Sequence, residues 1–158
     1  TVVGEIVTRT VERATEARCP TILVSGSGGG ARMHEGLLSL MQMPKTSAAL
    51  ARHHLAGLLC VVVLTDPSMG GVQASWASLG DVILAEPGAR IAFAGERVAR
   101  QAGVQKVPAD FGRAEFHFRQ GQIDRICPRR ELRETIARIV RFAHAPAAAV
   151  RAGAAVAR

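Results

Sequence analysis

Apolar residues recur at helical spacing along residues 2–18, where Val3, Ile6, Val7, Thr10, Val11 and Ala14 are separated by Glu and Arg. That period predicts an amphipathic helix, and Cys19-Pro20 stops it. The β-branched run Thr21-Ile22-Leu23-Val24 then predicts a strand that enters a glycine-rich turn, Ser25 to Gly30. A helix is expected over 31–50, with a break near Pro44. The sequence repeats this order: an apolar strand from Leu58 to Thr65, the turn Asp66-Pro67-Ser68-Met69-Gly70-Gly71, and a helical stretch from Val72 to Leu79. Shorter strands are expected at Val82 to Ala85, Arg90 to Ala94 and Gln122 to Ile126, with the turn Glu86-Pro87-Gly88 between the first two. A last helix, Arg130 to about Ala143, places Leu132, Ile136, Ile139 and Val140 on one face. Alternating strand and helix units predict an α/β fold built on parallel strands. Residues 1–143 are expected to form the domain and the Ala/Arg-rich residues 144–158 a loosely ordered tail.

Composition narrows the class. The chain has 158 residues, 48% of them hydrophobic and 21% charged, which suits one globular domain. Its longest apolar run, Leu58 to Leu64, is strand-sized and far short of the roughly 20 residues that cross a bilayer. The N-terminal residues lack the basic and apolar segments of a signal peptide, so a cytoplasmic location is expected. Three widely spaced cysteines, Cys19, Cys60 and Cys127, argue against a disulfide framework and against a metal site, and all three are expected to be reduced and at or near the core. The net charge is +7, and residues 80–158 carry 14 basic and 8 acidic groups. Such a field suits a phosphate-bearing small molecule as well as nucleic acid.

The candidate chemistry lies in the two glycine turns. A glycine pair between a strand and a helix lets backbone approach a ligand and leaves N–H groups unpaired. Adjacent parallel strands would bring Gly28 to Gly30 and Gly70-Gly71 to one sheet edge, where their N–H groups can stabilise negative charge developing on an oxygen. Gly26 to Ala31 also fits a dinucleotide fingerprint, G-x-G-x-x-A, but residues 40–51, where that reading needs an acidic residue, contain neither Asp nor Glu. Ser27 is outside any G-x-S-x-G elbow and reads as a turn residue. His34, His53 and His54 show no acidic partner at relay spacing, so surface or helix roles are expected for them. Met33, Met41 and Met43 read as core filler.

Ser27-Gly28-Gly29-Gly30-Ala31-Arg32-Met33-His34-Glu35, Leu40-Met41-Gln42-Met43 and Lys45-Thr46 are similar to S-G-G-A-R-M-Q-E and S-L-M-Q-M-x-K-T of the biotin-dependent acyl-CoA carboxyltransferases. Val63 to Ser75 resembles the V-L-T-D-P-T-M-G-G-V-x-A-S of the same family, and Leu79-Gly80-Asp81, Ala85-Glu86-Pro87 and Phe93-Ala94-Gly95 continue in register. The resemblance covers about residues 2–142 and is to the β-type half. It implies a crotonase-like (ClpP/crotonase) fold of repeated ββα units and transfer of a carboxyl group from carboxybiotin to acetyl-CoA or a related acyl-CoA. Carried over by motif, Gly29, Gly30, Gly70 and Gly71 are the expected oxyanion donors, while Gly28, Ala31, Arg32 and Met69 are expected at the bound acyl-CoA. Gly28 is one glycine more than the family's usual pair, which leaves the donor register open by one residue. Arg32 is the charge expected to touch substrate or partner.

The resemblance further implies that biotin arrives on a biotin carboxyl carrier protein, and that its ureido nitrogen, not a side chain, is the base. The expected partners are a carboxyltransferase α-type subunit, which binds biotin, and a biotin carboxylase, in a hetero-oligomer without membrane or nucleic acid. Full-length β-type relatives begin with a four-cysteine zinc ribbon and the first strands of the fold; the resemblance here starts after both, and no C-x-x-C is present. A fragment, a short paralogue or a processed piece is therefore expected, with an open sheet edge. Other readings are a crotonase-fold acyl-CoA decarboxylase and a noncatalytic basic binding subunit.

Overall fold

The computed structural model describes residues 1–94, 98, 101 and 108–143; Gly95 and the expected tail lie outside these. Residues 1–128 make one compact unit, and the second begins at Arg129.

The first unit opens with helix α1, Val2–Glu16, which buries Thr8 and Val11. It ends where Arg18 takes a left-handed φ of 51° and the Cys19 N–H bonds back to Ala14 O at 3.0 Å, one residue before Pro20. Strand β1, Thr21–Ser25, lies parallel to β2, Cys60–Leu64, in the register Thr21↔Cys60 to Ser25↔Leu64. All five residues of β2 are buried, as expected of an apolar run covered on both faces. Its other neighbour is β4, Val82–Ala85, which pairs in turn with β6, Arg125–Ile126, so the sheet order is β1-β2-β4-β6. A second, two-stranded parallel sheet pairs β3, Ser68–Met69, with β5, Ile91–Ala92. β2 and β3, followed by α4, Gly70–Gln73, make a ββα unit, and β4 and β5 repeat its two strands; further along the chain lies α5, Ala114–Arg119. Helices α2, Leu37–Leu40, and α3, Gln42–Leu55, lie between β1 and β2, and α3 packs on α1. Glu5 pairs with Lys45, and Glu12 with Arg52 at 2.8 Å, across these two helices. Val11, Leu50, Val62, Leu64, Ala85 and Ile91 are fully buried and join Trp76 in the core.

The second unit contributes α6, Arg129–Ala143, whose Leu132, Ile136, Ile139 and Val140 are half-buried, in line with the expected apolar face.

Several expectations are corrected. The helix expected over 31–50 is divided, and it starts later: Met33–Glu35 is a 3-10 turn, and the break falls at Met41, not at Pro44. Pro44 sits in the first turn of α3, where its missing N–H costs nothing. The stretch from Val72 to Leu79 is likewise divided, into α4 and a 3-10 turn at Trp76–Ser78. Met33 and Met41 are 93% and 58% exposed and fill no core, because they project from this irregular segment. Buried His53 accepts or donates at Thr15 Oγ1 (2.8 Å) and reaches Leu59 O at 3.2 Å. His54 does have an acidic partner: its Nδ1 lies 3.0 Å from Asp81 Oδ1, across 27 positions that only the fold brings together. Asp81 Oδ2 also accepts the Cys60 N–H at 2.7 Å.

Cys19 is exposed, whereas Cys60 and Cys127 are buried. Burial, with the Asp81 charge second, pushes the Cys60 thiol up to about 12. Only a thiolate attacks a disulfide reagent. A thiol titration of the native chain is therefore expected to modify Cys19 alone, with Cys60 and Cys127 reacting only after denaturant is added.

Candidate active site

The two glycine loops leave the ends of neighbouring strands. Ser25 closes β1, and its carbonyl accepts the Thr65 N–H at 2.9 Å and the Thr65 hydroxyl at 2.7 Å, so the two chains part from a fixed point. They are joined again where the Met69 N–H donates to Ser27 O at 3.0 Å. Beyond that bond they touch. A Cβ added to Gly30 would overlap the Gly71 nitrogen and stand 3.1 Å from Gly71 Cα; one added to Gly70, whose φ is +66°, would lie 2.8 Å from Gly30 N. Side chains are excluded at both positions by backbone, which a neighbouring rotamer cannot relieve. Gly29, by contrast, faces open space, and Gly28 faces Pro67. Ser27 behaves as a turn residue, its hydroxyl donating to Gly29 O at 2.9 Å.

The second loop is braced from outside. Asp66 accepts hydrogen bonds from the Arg90 backbone N–H at 2.9 Å and from Arg90 Nε at 3.0 Å, and these bonds hold its carboxyl below the usual carboxylate range.

The contact between the loops opens on a cavity of about 400 Å³. Gly30, Ala31, Arg32 and Gly71 line it, as do Val72, Ser75 and Trp76 from the second loop and Gln42 and Met43 from the start of α3. Of the site residues expected from the sequence, Gly30, Ala31, Arg32 and Gly71 are thus gathered at one cavity, while Gly70, whose backbone meets that of Gly30, does not line it. Gly28, Gly29 and Met69 are not among its lining residues. Arg32 is exposed at the rim. Sequence reasoning assigned no role to Ser75, Trp76 or Gln42; the first stood inside the second motif, but nothing local marked it as lining a cavity. Among the described residues, no group of three or more His, Cys, Asp or Glu is placed to hold a metal ion, and no helix is long and apolar enough to cross a membrane.

Chemically, the arrangement offers backbone donors from two loops beside a lining that mixes apolar side chains, Met43, Val72 and Trp76, with polar ones, Glu35, Ser39 and Thr46 among them. That combination favours an oxygen gaining negative charge on a ligand that carries both apolar and polar parts.

Known proteins resemble the chain in sequence and in fold. Residues 1–129 match the family model described as the carboxyl transferase domain. The chain is 56% identical over 141 residues to the acetyl-coenzyme A carboxylase carboxyl transferase subunit beta of Alkaliphilus oremlandii, covering 89% of this chain and 51% of that protein. It is 58% identical over 139 residues to the protein of the same description in Desulforamulus reducens, covering 88% and 48%. The chain thus spans about half the length of these curated relatives. Among solved structures, a transcarboxylase 12S with methylmalonyl-coenzyme A bound superposes with a TM-score of 0.74 at 28% identity, covering 87% of this chain and 27% of that one. A Pseudomonas malonate decarboxylase hetero-dimer gives a TM-score of 0.75 at 24% identity, over 88% and 63%, and a putative enoyl-CoA hydratase/isomerase from Bordetella parapertussis gives 0.60 at 16%, over 98% and 74%. The fold is the crotonase-like one expected from the motifs.

Proposed function

The chain belongs to the carboxyl transferase family, and on that premise we propose that it is the β-type half of an acetyl-CoA carboxylase carboxyltransferase, carboxylating acetyl-CoA or a related acyl-CoA. The observation that carries this reading is the backbone contact of Gly30 with Gly70-Gly71 at the mouth of the cavity. An acyl-CoA thioester fits there with its carbonyl oxygen toward the N–H groups of Gly30 and Gly71. Met43, Val72 and Trp76 offer the thioester an apolar wall, and the two N–H dipoles stabilise the enolate formed when the α-carbon loses its proton more than the neutral thioester. Of the four glycines expected as donors, the contact favours Gly30 and Gly71. Gly70 supplies the conformation, and Gly29, which faces open space and does not line the cavity, falls outside the donor set.

Arg32 at the cavity rim and the basic second half of the sequence suit the phosphates of CoA. Carboxybiotin, held on its carrier protein, would supply the carboxyl group as CO2 and, once that N–C bond has broken, a ureido nitrogen basic enough to accept the acyl proton. This chain's residues fit the thioester half of the reaction, and the biotin half is assigned to an α-type partner, with biotin carboxylase completing a cytoplasmic enzyme.

The test is the assembled complex. Calorimetry should detect acetyl-CoA binding, and malonyl-CoA should form only when carboxybiotin is supplied. A folded complex that binds no CoA thioester would overturn the reading. Loss of CO2 from malonyl-CoA without biotin would mark a decarboxylase instead, and nucleic-acid affinity that falls steeply with salt, without CoA affinity, a binding subunit.

A further inference from the structure

Ser75 is 4% exposed, lines the cavity, and precedes the 3-10 turn Trp76–Ser78, the position where a serine ordinarily caps. It makes no such cap. Its hydroxyl turns back and donates to Gly71 O at 2.6 Å. The reason lies in how α4 ends. Ala74 N–H bonds Gly70 O at 3.0 Å in helical fashion, but Ser75 N–H goes to Val72 O at 3.3 Å, so the bond that a continuing helix would give Gly71 O comes from the side chain.

That substitution has a directional consequence. In a trans peptide the N–H is antiparallel to the C=O, and the cis bond among the described residues is at Asp66-Pro67, not here. Holding the Gly70 and Gly71 carbonyls toward the C-terminal side of α4 therefore aims the N–H groups of Gly71 and Val72 the opposite way. Gly30 stands on that side, against Gly71 N. The Gly70-Gly71 peptide is fixed by the backbone bond from Ala74, and the Gly71-Val72 peptide by the Ser75 hydroxyl.

We propose that Ser75 is a positioning residue for the second glycine loop: its hydroxyl, by fixing the Gly71-Val72 peptide, keeps the Val72 N–H aimed at the acyl oxygen, beside the Gly71 N–H that the Ala74 bond holds. The proposal rests on the oxyanion reading of the cavity and adds Val72 N–H to the donor set. Ser75 touches no substrate atom in it. A buried serine with only a packing role would not need its hydroxyl, since alanine fills nearly the same space; a positioning role does.

Ser75→Ala in the assembled carboxyltransferase tests it. The expected result is a fall in kcat of roughly 10- to 100-fold, the scale of a small misplacement of a catalytic dipole, with the KM for acetyl-CoA within about twofold of its original value. A CoA thioether bearing an anionic enolate mimic should lose affinity by a similar factor, while a neutral CoA thioether binds as before. Ser75→Thr, which keeps the hydroxyl, should recover most of the turnover. Unchanged turnover in Ser75→Ala overturns the proposal, and so does a parallel loss of affinity for both analogues, which marks a structural role. Gly30→Ala measured alongside separates the two levels: if it is impaired while Ser75→Ala is not, only the role of Ser75 fails, and if it too retains full turnover, the oxyanion reading fails with it.

Discussion

Gly30→Ala is expected to lower carboxyl transfer by about 100-fold or more, while Gly29→Ala, one residue away, keeps turnover close to that of the unsubstituted protein. The contrast follows from what each new Cβ would meet. At Gly30 it overlaps the Gly71 nitrogen, so the two loops must separate and their N–H groups no longer converge; at Gly29 it points into open space. Gly70→Ala should resemble Gly30→Ala, because it adds a left-handed φ to the same backbone overlap. Because these contacts are backbone against backbone, some stability is lost too. The measurement is therefore steady-state transfer from carboxybiotin in the assembled enzyme, alongside a thermal melt, at a temperature where every variant remains folded. Equal turnover of Gly29→Ala and Gly30→Ala would show that the convergence of the loops does not matter to the reaction.

The chain by itself is expected to be catalytically silent and to self-associate, and to give carboxyl transfer only in a defined complex with an α-type half. Strand β1 is the end strand of the four-stranded sheet among the described residues, and it exposes Ile22 and Val24. Val2, Val3 and Ile6 on α1 are exposed as well, and so are Leu37, Leu38 and Met41 beyond the glycine loop. Apolar surface of this extent, beside an unpaired strand edge, drives association. Sedimentation should show polydisperse material for the chain alone and one hetero-complex when the α half is added. A soluble monomer that transfers carboxyl groups unaided would contradict both parts of this expectation.

The amphipathic face of α1 was only partly a core face. Val11 is fully buried and Val7 half-buried, as the helical period requires, yet Val3 and Ile6 on the same stripe are exposed. Periodicity reports that a face is apolar; it does not report what covers it. Met33 and Met41 fail as core filler for the same reason. The strands show the converse: β2 reads as a continuous apolar run and is buried throughout, whereas β1, nearly as apolar in sequence, alternates between buried and exposed because only one of its two faces is covered.

What the sequence by itself determined was the order of the longer strands and helices, though not β3, which lies within the expected turn, together with the parallel pairing, the placement of both glycine loops near strand ends, and the family, because each of these is written in local period or in contiguous motif. The tertiary structure decided which glycines meet. Gly28, Gly29 and Gly30 share the same local freedom, and only the arrival of Gly70-Gly71, some forty residues on, makes Gly30 the position where a side chain cannot stand. It also decided that His54 finds Asp81 and that the Ser75 hydroxyl turns to Gly71 O instead of capping. Pairings of this kind depend on how two distant segments are packed against each other, and no property of either segment alone records it.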